Sequence, residues 1–348
     1  MNIYDILDAV ETSEQDGVLA TIIHVEGSAY LKEGTSMIFW EDGTQIGMVS
    51  PGCLEADLAI RAQEVFREGA ARTVTYHLEN EDDFGWGQGA GCNGILSILL
   101  EPLDEKLRKH LCILRVYLNK RIPVFHMKEL TEDLSQTKYA YVPMDGQIFG
   151  NEWREDLPSC LESLFHNVNP FCQKSGIASL GHPSRSIYFH LYEPKPRLVV
   201  FGAGRDAQPV VSLAACTGFS VTVCDWRPAF CHRDRFPSAD GIVVGSPEEI
   251  VEELCLQSSD FVVIMTHHFQ KDREILSYIM KKKVRYAGVL GPHERTRRLL
   301  NIKDIPPFIH SPVGLAIGAK GPEEIAVSIL AEMIQHLRKP FVERTHSI

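Results

Sequence analysis

Two glycines and an aspartate have the residue types and the spacing of a nucleotide-binding site. Gly202 and Gly204 follow the apolar run 198–201, and Asp225 ends the next apolar run along the chain. The first glycine permits a tight turn, the second lets the backbone approach a pyrophosphate, and the carboxylate can accept hydrogen bonds from a ribose 2′-hydroxyl. This pattern favours an NAD-, FAD- or adenosine-type ligand over NADP, although Arg227 weakens the exclusion of a 2′-phosphate. The alternative is a Rossmann-type domain whose nucleotide site is vestigial.

Two cysteines stand where a reactive thiol could be placed. Cys53 lies at the predicted start of a helix, where the dipole and the free amides stabilise a thiolate. Gly91 and Cys92 lie in the segment 84–94, in which five glycines could present successive backbone N–H groups to an anion. The alternatives are a small residue that fills a turn and a flexible surface loop that carries a thiol.

Further candidates follow the later strands of the predicted sheet. Thr266, His267 and Gly291 come at strand ends that should face the glycine turn, because ligands of open α/β sheets bind at the carboxyl ends of strands. His267 could donate a proton or contact a ligand, or it could simply cap a strand end. Arg295 could hold a phosphate, but the pattern favours a solvated helix face for it.

The elements that must position these residues indicate an α/β protein. Apolar runs alternate with helical patterns after residue 197, which predicts a Rossmann-like parallel sheet in a domain spanning 193–348. Residues 1–192 predict a separate α+β domain, and the proline-containing segment 193–197 is the linker. Pro322 marks the start of a last helix, whose predicted buried face contains Ile325, Ile329 and Met333.

The composition excludes several classes of partner. The chain has 348 residues, 35 basic and 46 acidic side chains and a net charge of −11, and no basic run that would attract nucleic acid or an anionic membrane. The N-terminal residues lack the features of a signal peptide, and no apolar run is long enough to span a bilayer. The nine cysteines have no framework spacing, so we expect reduced thiols and a cytoplasmic protein without structural zinc.

Taken together, these residues resemble the xanthine dehydrogenase accessory proteins of the XdhC/CoxI type. The resemblance covers nearly the whole chain. In the C-terminal half it is carried by FGAGRDAQP (201–209), DWRPAF (225–230), MTH (265–267), GVLGP (288–292), SPVGLAIG (311–318) and PEEIAVSI (322–329). In the N-terminal half it is carried by Gly27, Ser28, Gly34, Met37, GCLE (52–55) and the glycine loop that ends in Cys92. The chain departs from the family pattern at Leu31, Pro51 and Asn93.

The resemblance implies a maturation factor and argues against a turnover enzyme. Such proteins bind molybdenum cofactor (molybdopterin) transiently, protect it, aid its sulfuration and insert it into a xanthine dehydrogenase-like molybdenum hydroxylase apoenzyme. A cysteine desulfurase is a further implied partner, and a homodimer is expected by analogy. The implied ligand contacts are Cys53, Gly91 and Cys92 in the N-terminal half and Gly202, Gly204, Arg205, Asp225, Thr266, His267 and Gly291 in the C-terminal half.

Two other functions remain open at the level of sequence. An NAD- or FAD-dependent oxidoreductase would use the glycine turn and Asp225, but no tyrosine–lysine pair or other hydride-transfer constellation stands out. A purely structural adaptor for the dehydrogenase is the third possibility.

Overall fold

The structure is a computed structural model, and it divides the chain into two compact units. They span Met1–Pro194 and Lys195–Ile348. The residues that the structure describes are 3–78, 93–130, 136–151, 153, 157–168, 173–180 and 185–339. Within these ranges, no helix is both long enough and apolar enough to cross a membrane.

The first unit contains two antiparallel sheets and helices that cover them. Its helices are α1 (Ile3–Thr12), α2 (Glu55–Glu68), α3 (Glu105–Asn119) and α4 (Leu157–Asn167). Its strands are β1 (Gly17–Ser28), β2 (Ser36–Trp40), β3 (Gln45–Gly47), β4 (Arg72–His77), β5 (Asn93–Pro102), β6 (Val124–Leu130), β7 (Gln136–Pro143), β8 (Phe149–Asn151), β9 (Ser175–Leu180) and β10 (Arg185–Tyr192). The first sheet has the order β3-β2-β1-β5-β4, and the second has the order β8-β7-β6-β10-β9.

Helices pack on both sheets of this unit through apolar stripes. Leu107, Leu111, Leu114 and Leu118 of α3 recur at helical spacing and share one apolar cluster with α1 and with residues of both sheets. Helix α2 covers the first sheet, and α4 covers the second. Each sheet therefore has its own helix, while α1 and α3 belong to a core that both sheets share.

A buried polar layer lies among the strands of this unit. Glu101 of β5 and Lys128 of β6 form an ion pair in which both side chains are almost fully buried. His126 of β6 and His190 of β10 are direct cross-strand partners, and the His126 ring stacks on Tyr141 with centroids 4.0 Å apart. Burial lowers the pKa of His190 to about 4. Burial, together with the charge of Lys128, also lowers the pKa of His126 well below its usual value.

We expect the two histidines to make the stability of the protein sensitive to mild acid. Unfolded histidine has a pKa of about 6.5, so below about pH 6.5 the unfolded chain binds more protons than the folded chain. The free energy of unfolding should therefore fall as the pH drops from about 6.5 towards 4, by up to about 1.4 kcal/mol per pH unit for each histidine. Urea denaturation at several pH values, on wild type and His190→Gln, measures this slope.

The reference for that comparison is pH 8, where the histidines of both proteins are neutral in both states. His190→Gln should flatten the slope between pH 6.5 and 4, by up to about 1.4 kcal/mol per pH unit. Equal slopes in the two proteins would contradict this explanation.

The second unit is a doubly wound parallel sheet. Its elements are β11 (Arg197–Phe201), α5 (Ala207–Cys216), β12 (Ser220–Asp225), β13 (Gly241–Val244), α6 (Pro247–Leu254), β14 (Phe261–Ile264), α7 (Phe269–Lys282), β15 (Tyr286–Val289), α8 (His293–Leu300), β16 (Ile309–His310) and α9 (Gly321–Arg338). The order β13-β12-β11-β14-β15-β16 is the 3-2-1-4-5-6 order of a Rossmann sheet, and all its pairings are parallel. The predicted fold class is confirmed.

Alternate residues of β11 point to the two faces of this sheet. Leu198 and Val200 pack with α5 and α9, whereas Val199 and Phe201 pack with α6, α7 and α8. The predicted inner face of α9 is also confirmed, since Ile329 and Met333 are fully buried in the first of these clusters and the half-buried Ile325 packs against it. Because both faces are covered, the ends of the strands are where the sheet can meet a ligand.

Candidate functional site

The glycine turn lies at the point where the strand order of the parallel sheet reverses. Gly202 directly follows β11 and has φ +115, a left-handed backbone that favours glycine. A Cβ atom at Gly202 would lie only 2.5 Å from the carbonyl oxygen of Met265, just beyond β14. Glycine is therefore required here because the β11 turn packs directly on the end of β14. Ala207, the predicted third small position, is fully buried.

Both carboxylate oxygens of Asp225 accept hydrogen bonds from neighbouring groups of the chain. Its Oδ2 accepts hydrogen bonds from the Ala203 amide and from Arg227 Nη2, both at 2.8 Å. Its Oδ1 accepts from the amide and from Nε of Arg227, both at 2.9 Å. A carboxylate has about four lone-pair sites, so these four bonds leave it little capacity for a ribose hydroxyl.

The same contacts set the charge of this carboxylate. Burial raises the pKa of Asp225, but the hydrogen bonds from Arg227 and from the Ala203 amide outweigh burial, so the pKa falls below its ordinary value. The Arg227 guanidinium in turn lies 4.6 Å from the Trp226 ring centroid and 4.4 Å from that of Phe230. Asp225, the predicted ribose contact, therefore connects the glycine turn to the loop after β12 through its hydrogen bonds.

The remaining residues of the glycine turn differ in their partners. Arg205 is exposed and forms no ion pair with any residue in the described ranges. The next residue, Asp206, holds its Oδ2 2.6 Å from Nε2 of His267. His267 follows β14 and has φ +58, an uncommon conformation for a residue other than glycine. The structure therefore brings the predicted residue His267 to the glycine turn, as expected from the strand order.

A cavity of about 230 Å³ opens beside this turn. It is lined by His267, Asp272, Leu290, Gly291 and Arg295. Two of the predicted residues, His267 and Gly291, thus lie on one cavity. Gly291 has φ +105, and its carbonyl oxygen accepts a hydrogen bond from Ser311 at 3.1 Å.

A buried polar network forms one wall of the cavity. Asp272 is 1% exposed, and its Oδ2 lies 2.5 Å from Nη2 of Arg295. The other oxygen of Asp272 accepts a hydrogen bond from the hydroxyl of Thr266. Thr266, one of the predicted site residues, therefore contacts the cavity wall but does not line the cavity. The expectation of a solvated helix face was wrong for Arg295, because the salt bridge with Asp272 draws its side chain to the cavity. Arg297 of the same helix is half-exposed, as a solvated face requires.

Comparison with known proteins identifies the family of the chain. The model of the XdhC Rossmann domain matches residues 198–333, that of the XdhC and CoxI family matches 11–77, and that of the BH1974-like central domain matches 105–193. A probable xanthine dehydrogenase subunit of Bacillus subtilis (strain 168) is 40% identical over 338 residues, which are 96% of this chain and 97% of that protein. The chain belongs to the XdhC and CoxI family. The predicted resemblance is confirmed.

Two further relatives extend over most of this XdhC-type chain. A crystal structure described as a xanthine dehydrogenase (BH1974) from Bacillus halodurans is 46% identical, has a TM-score of 0.87, and the match covers 97% of this chain and 96% of that one. The molybdenum cofactor insertion chaperone PaoD of Escherichia coli (strain K12) is 24% identical over 330 residues, 92% of this chain and 83% of that protein.

The predicted cysteine sites of the XdhC-type chain lie in the first unit. Cys53 is a half-buried free thiol, two residues before the first residue of α2. The amides around it are already used, because those of Gly52 and Leu54 donate to Ser50 Oγ and the Glu55 carboxylate accepts from the Ser50 amide at 2.8 Å. A ligand role for Cys53 stays a prediction. Gly91 and Cys92 lie outside the described residues.

Sequence reasoning did not single out two residues of the XdhC-type crevice. Asp206 and Asp272 each stand at the beginning of a helix, α5 and α7, where an acidic residue is favoured by the helix dipole alone. Their contacts with His267 and Arg295 come from other elements, so no local pattern could have distinguished them. In the described ranges, no group of three or more His, Cys, Asp or Glu side chains is arranged to hold a metal ion.

Proposed function

We propose that the protein is a maturation factor for a molybdenum hydroxylase, which holds molybdenum cofactor and delivers it to a xanthine dehydrogenase-like apoenzyme. The observation that carries this proposal is the similarity, along 92% of the chain, to a protein named as a molybdenum cofactor insertion chaperone. A cysteine desulfurase would supply sulfur to the held cofactor, and the protein would act as a cytoplasmic homodimer. In this role the protein carries its ligand and does not turn it over.

The crevice beside the glycine turn fits the phosphate end of such a cofactor. Arg205 is an exposed cation without an ion-pair partner among the described residues, next to Gly204. Guanidinium groups bind phosphate through charge-assisted hydrogen bonds. The neighbouring cavity of about 230 Å³ is smaller than the usual pocket for a whole organic ligand, so it would take one end of the molecule. We assign Gly202, Gly204, Arg205, His267 and Gly291 to this binding site, and Thr266 supports it through its hydrogen bond to Asp272.

The cofactor would supply the metal and its dithiolene, while this chain would bind and shield it. In the first unit, Cys92 and then Cys53 are the proposed thiol contacts for molybdenum cofactor. An NAD-dependent oxidoreductase fits the crevice less well, because the carboxylate that should accept the ribose hydroxyl already has four partners within the chain.

We expect the purified chain to retain stoichiometric molybdenum after anaerobic mixing with molybdenum cofactor and gel filtration. Cys92→Ala should release most of it, because a thiolate is a strong ligand for soft metal centres. Cys53→Ala should have the smaller effect. The matched control is Cys216→Ala, which removes an exposed free thiol at the end of α5. Metal analysis of the protein fraction gives the result.

Each outcome of this measurement separates two functions. Retention that is lost in Cys92→Ala but kept in Cys216→Ala supports a carrier that uses its thiol. Failure of the wild-type protein to retain molybdenum would refute the carrier function. Turnover of NADH by the same preparation would then favour the oxidoreductase.

A further inference from the structure

A carboxylate of the chain itself covers the glycine turn. Asp206 directly precedes α5, and a Cβ atom placed on Gly204 would collide with its Oδ1. The second glycine of this motif normally leaves room for the pyrophosphate of a ligand. Here that room is occupied by an anionic oxygen of the protein.

The covering carboxylate is held from the other side of the crevice. Its second oxygen lies 2.6 Å from His267 Nε2, so the contact joins the start of α5 to the segment that follows β14. His267 maintains this contact with a left-handed backbone, φ +58. Such a conformation is unfavourable for a residue other than glycine and persists only where the surrounding structure enforces it. The Asp206 side chain makes no hydrogen bond that caps α5.

We infer that Asp206 is a resident anion that competes with the phosphate of the ligand for the glycine turn and for His267. The inference rests on the proposed function, in which a phosphate binds at this turn. Two like charges a few ångströms apart repel each other at a protein surface, so phosphate and carboxylate cannot share the turn. The phosphate must displace Asp206, and His267 then becomes free to donate a hydrogen bond to it.

This competition makes the site selective. A ligand with only a phosphate group must break the Asp206–His267 contact without further compensation, so it binds weakly. A ligand that also makes contacts elsewhere in the crevice offsets that loss and is retained. Asp206 is therefore a specificity-determining residue, and it withholds the turn from simple phosphate compounds.

Titration calorimetry of the full-length protein with inorganic pyrophosphate tests the inference. Asp206→Asn should bind pyrophosphate at least about tenfold more tightly than wild type, because the competing charge is gone. His267→Gly should bind it more weakly, because the donor is lost and Asp206 keeps its charge; glycine tolerates the left-handed backbone. The matched control is Asp234→Asn, which removes the same charge from a side chain that is 97% exposed.

The opposite signs of the two changes are diagnostic, since a merely structural pair would shift both affinities in the same direction. Equal signs, or no gain in Asp206→Asn, would overturn the inference. If Asp206→Asn does not fold, Asp206→Ser removes the charge with a residue that is favoured before a helix.

Molybdenum retention by the same wild-type preparation keeps the two proposals apart. If wild type retains molybdenum but Asp206→Asn does not bind pyrophosphate more tightly, the proposed function stands and the inference about Asp206 is refuted. If Asp206→Asn binds pyrophosphate more tightly but wild type does not retain molybdenum, Asp206 is a competing anion and the proposed function is refuted.

Discussion

Replacing Lys128 by methionine is expected to lower the free energy of unfolding by about 3–5 kcal/mol, because the change leaves a buried carboxylate without its counter-charge. Lys128 is 3% exposed and Glu101 is 2% exposed, and their ion pair connects β6 to β5. Glu101 Oε1 has no hydrogen-bond partner in the described part of the chain. Burial lowers the pKa of Lys128, and the neighbouring Glu101 opposes that shift. Urea denaturation at pH 7 measures the loss.

The double variant Lys128→Met with Glu101→Leu is the control for this prediction. Replacing a buried ion pair by apolar residues of similar volume is often neutral or stabilising, so the double variant should recover most of the loss. A double-mutant cycle with Glu101→Gln gives the coupling between the two side chains. A loss below about 1 kcal/mol in Lys128→Met would mean that the pair is solvated and contributes as little as a surface ion pair.

The parallel sheet of the second unit could be predicted from local signals. Its strands are short apolar runs because they are buried on both faces, and each run is followed by a turn and a helix. The prediction of Gly202 as a turn residue followed from the same pattern. Such signals lie within a few residues of each other, so they can be recognised without the three-dimensional structure.

The first unit could not be predicted to the same depth. Strand β1 pairs with β5, whose partner residues lie far along the chain, as in the pair Val18 and Pro102. Non-local pairing of this kind leaves no periodic signal that says which strands are neighbours. The sequence predicted an α+β domain over 1–192 but not that two five-stranded sheets build it, and separate family models match 11–77 and 105–193.

The position of the candidate site could be predicted from the sequence, but the side-chain contacts within it could not. The strand-end rule correctly brought His267 and Gly291 to the crevice. It could not show that Asp206 binds His267 or that Arg295 turns towards Asp272, because each contact joins elements distant in sequence. Nor could it show that the Asp225 carboxylate already accepts four hydrogen bonds, because the sequence does not reveal whether an aspartate has partners within the chain.

Asp225→Asn is expected to lower the free energy of unfolding by about 3 kcal/mol at pH 7, because a buried carboxylate with charge-assisted hydrogen bonds becomes a neutral amide. The amide cannot accept all four bonds, so donors of Ala203 and Arg227 lose their partner. The glycine turn should loosen as a result, and retention of molybdenum should fall together with stability. Denaturation and metal analysis of the same preparation measure both effects.

The pH dependence of this loss identifies its cause. Because the folded pKa of Asp225 is lowered, its contribution is fully present above the unfolded pKa of about 3.9 and disappears as the pH falls through the folded value. The gap between wild type and Asp225→Asn should therefore narrow in acid. Arg227→Ala, which leaves the backbone donors in place, should cost less, since that side chain is 35% exposed. An unchanged stability in Asp225→Asn, with altered nucleotide affinity, would instead identify Asp225 as a free acceptor for a ribose.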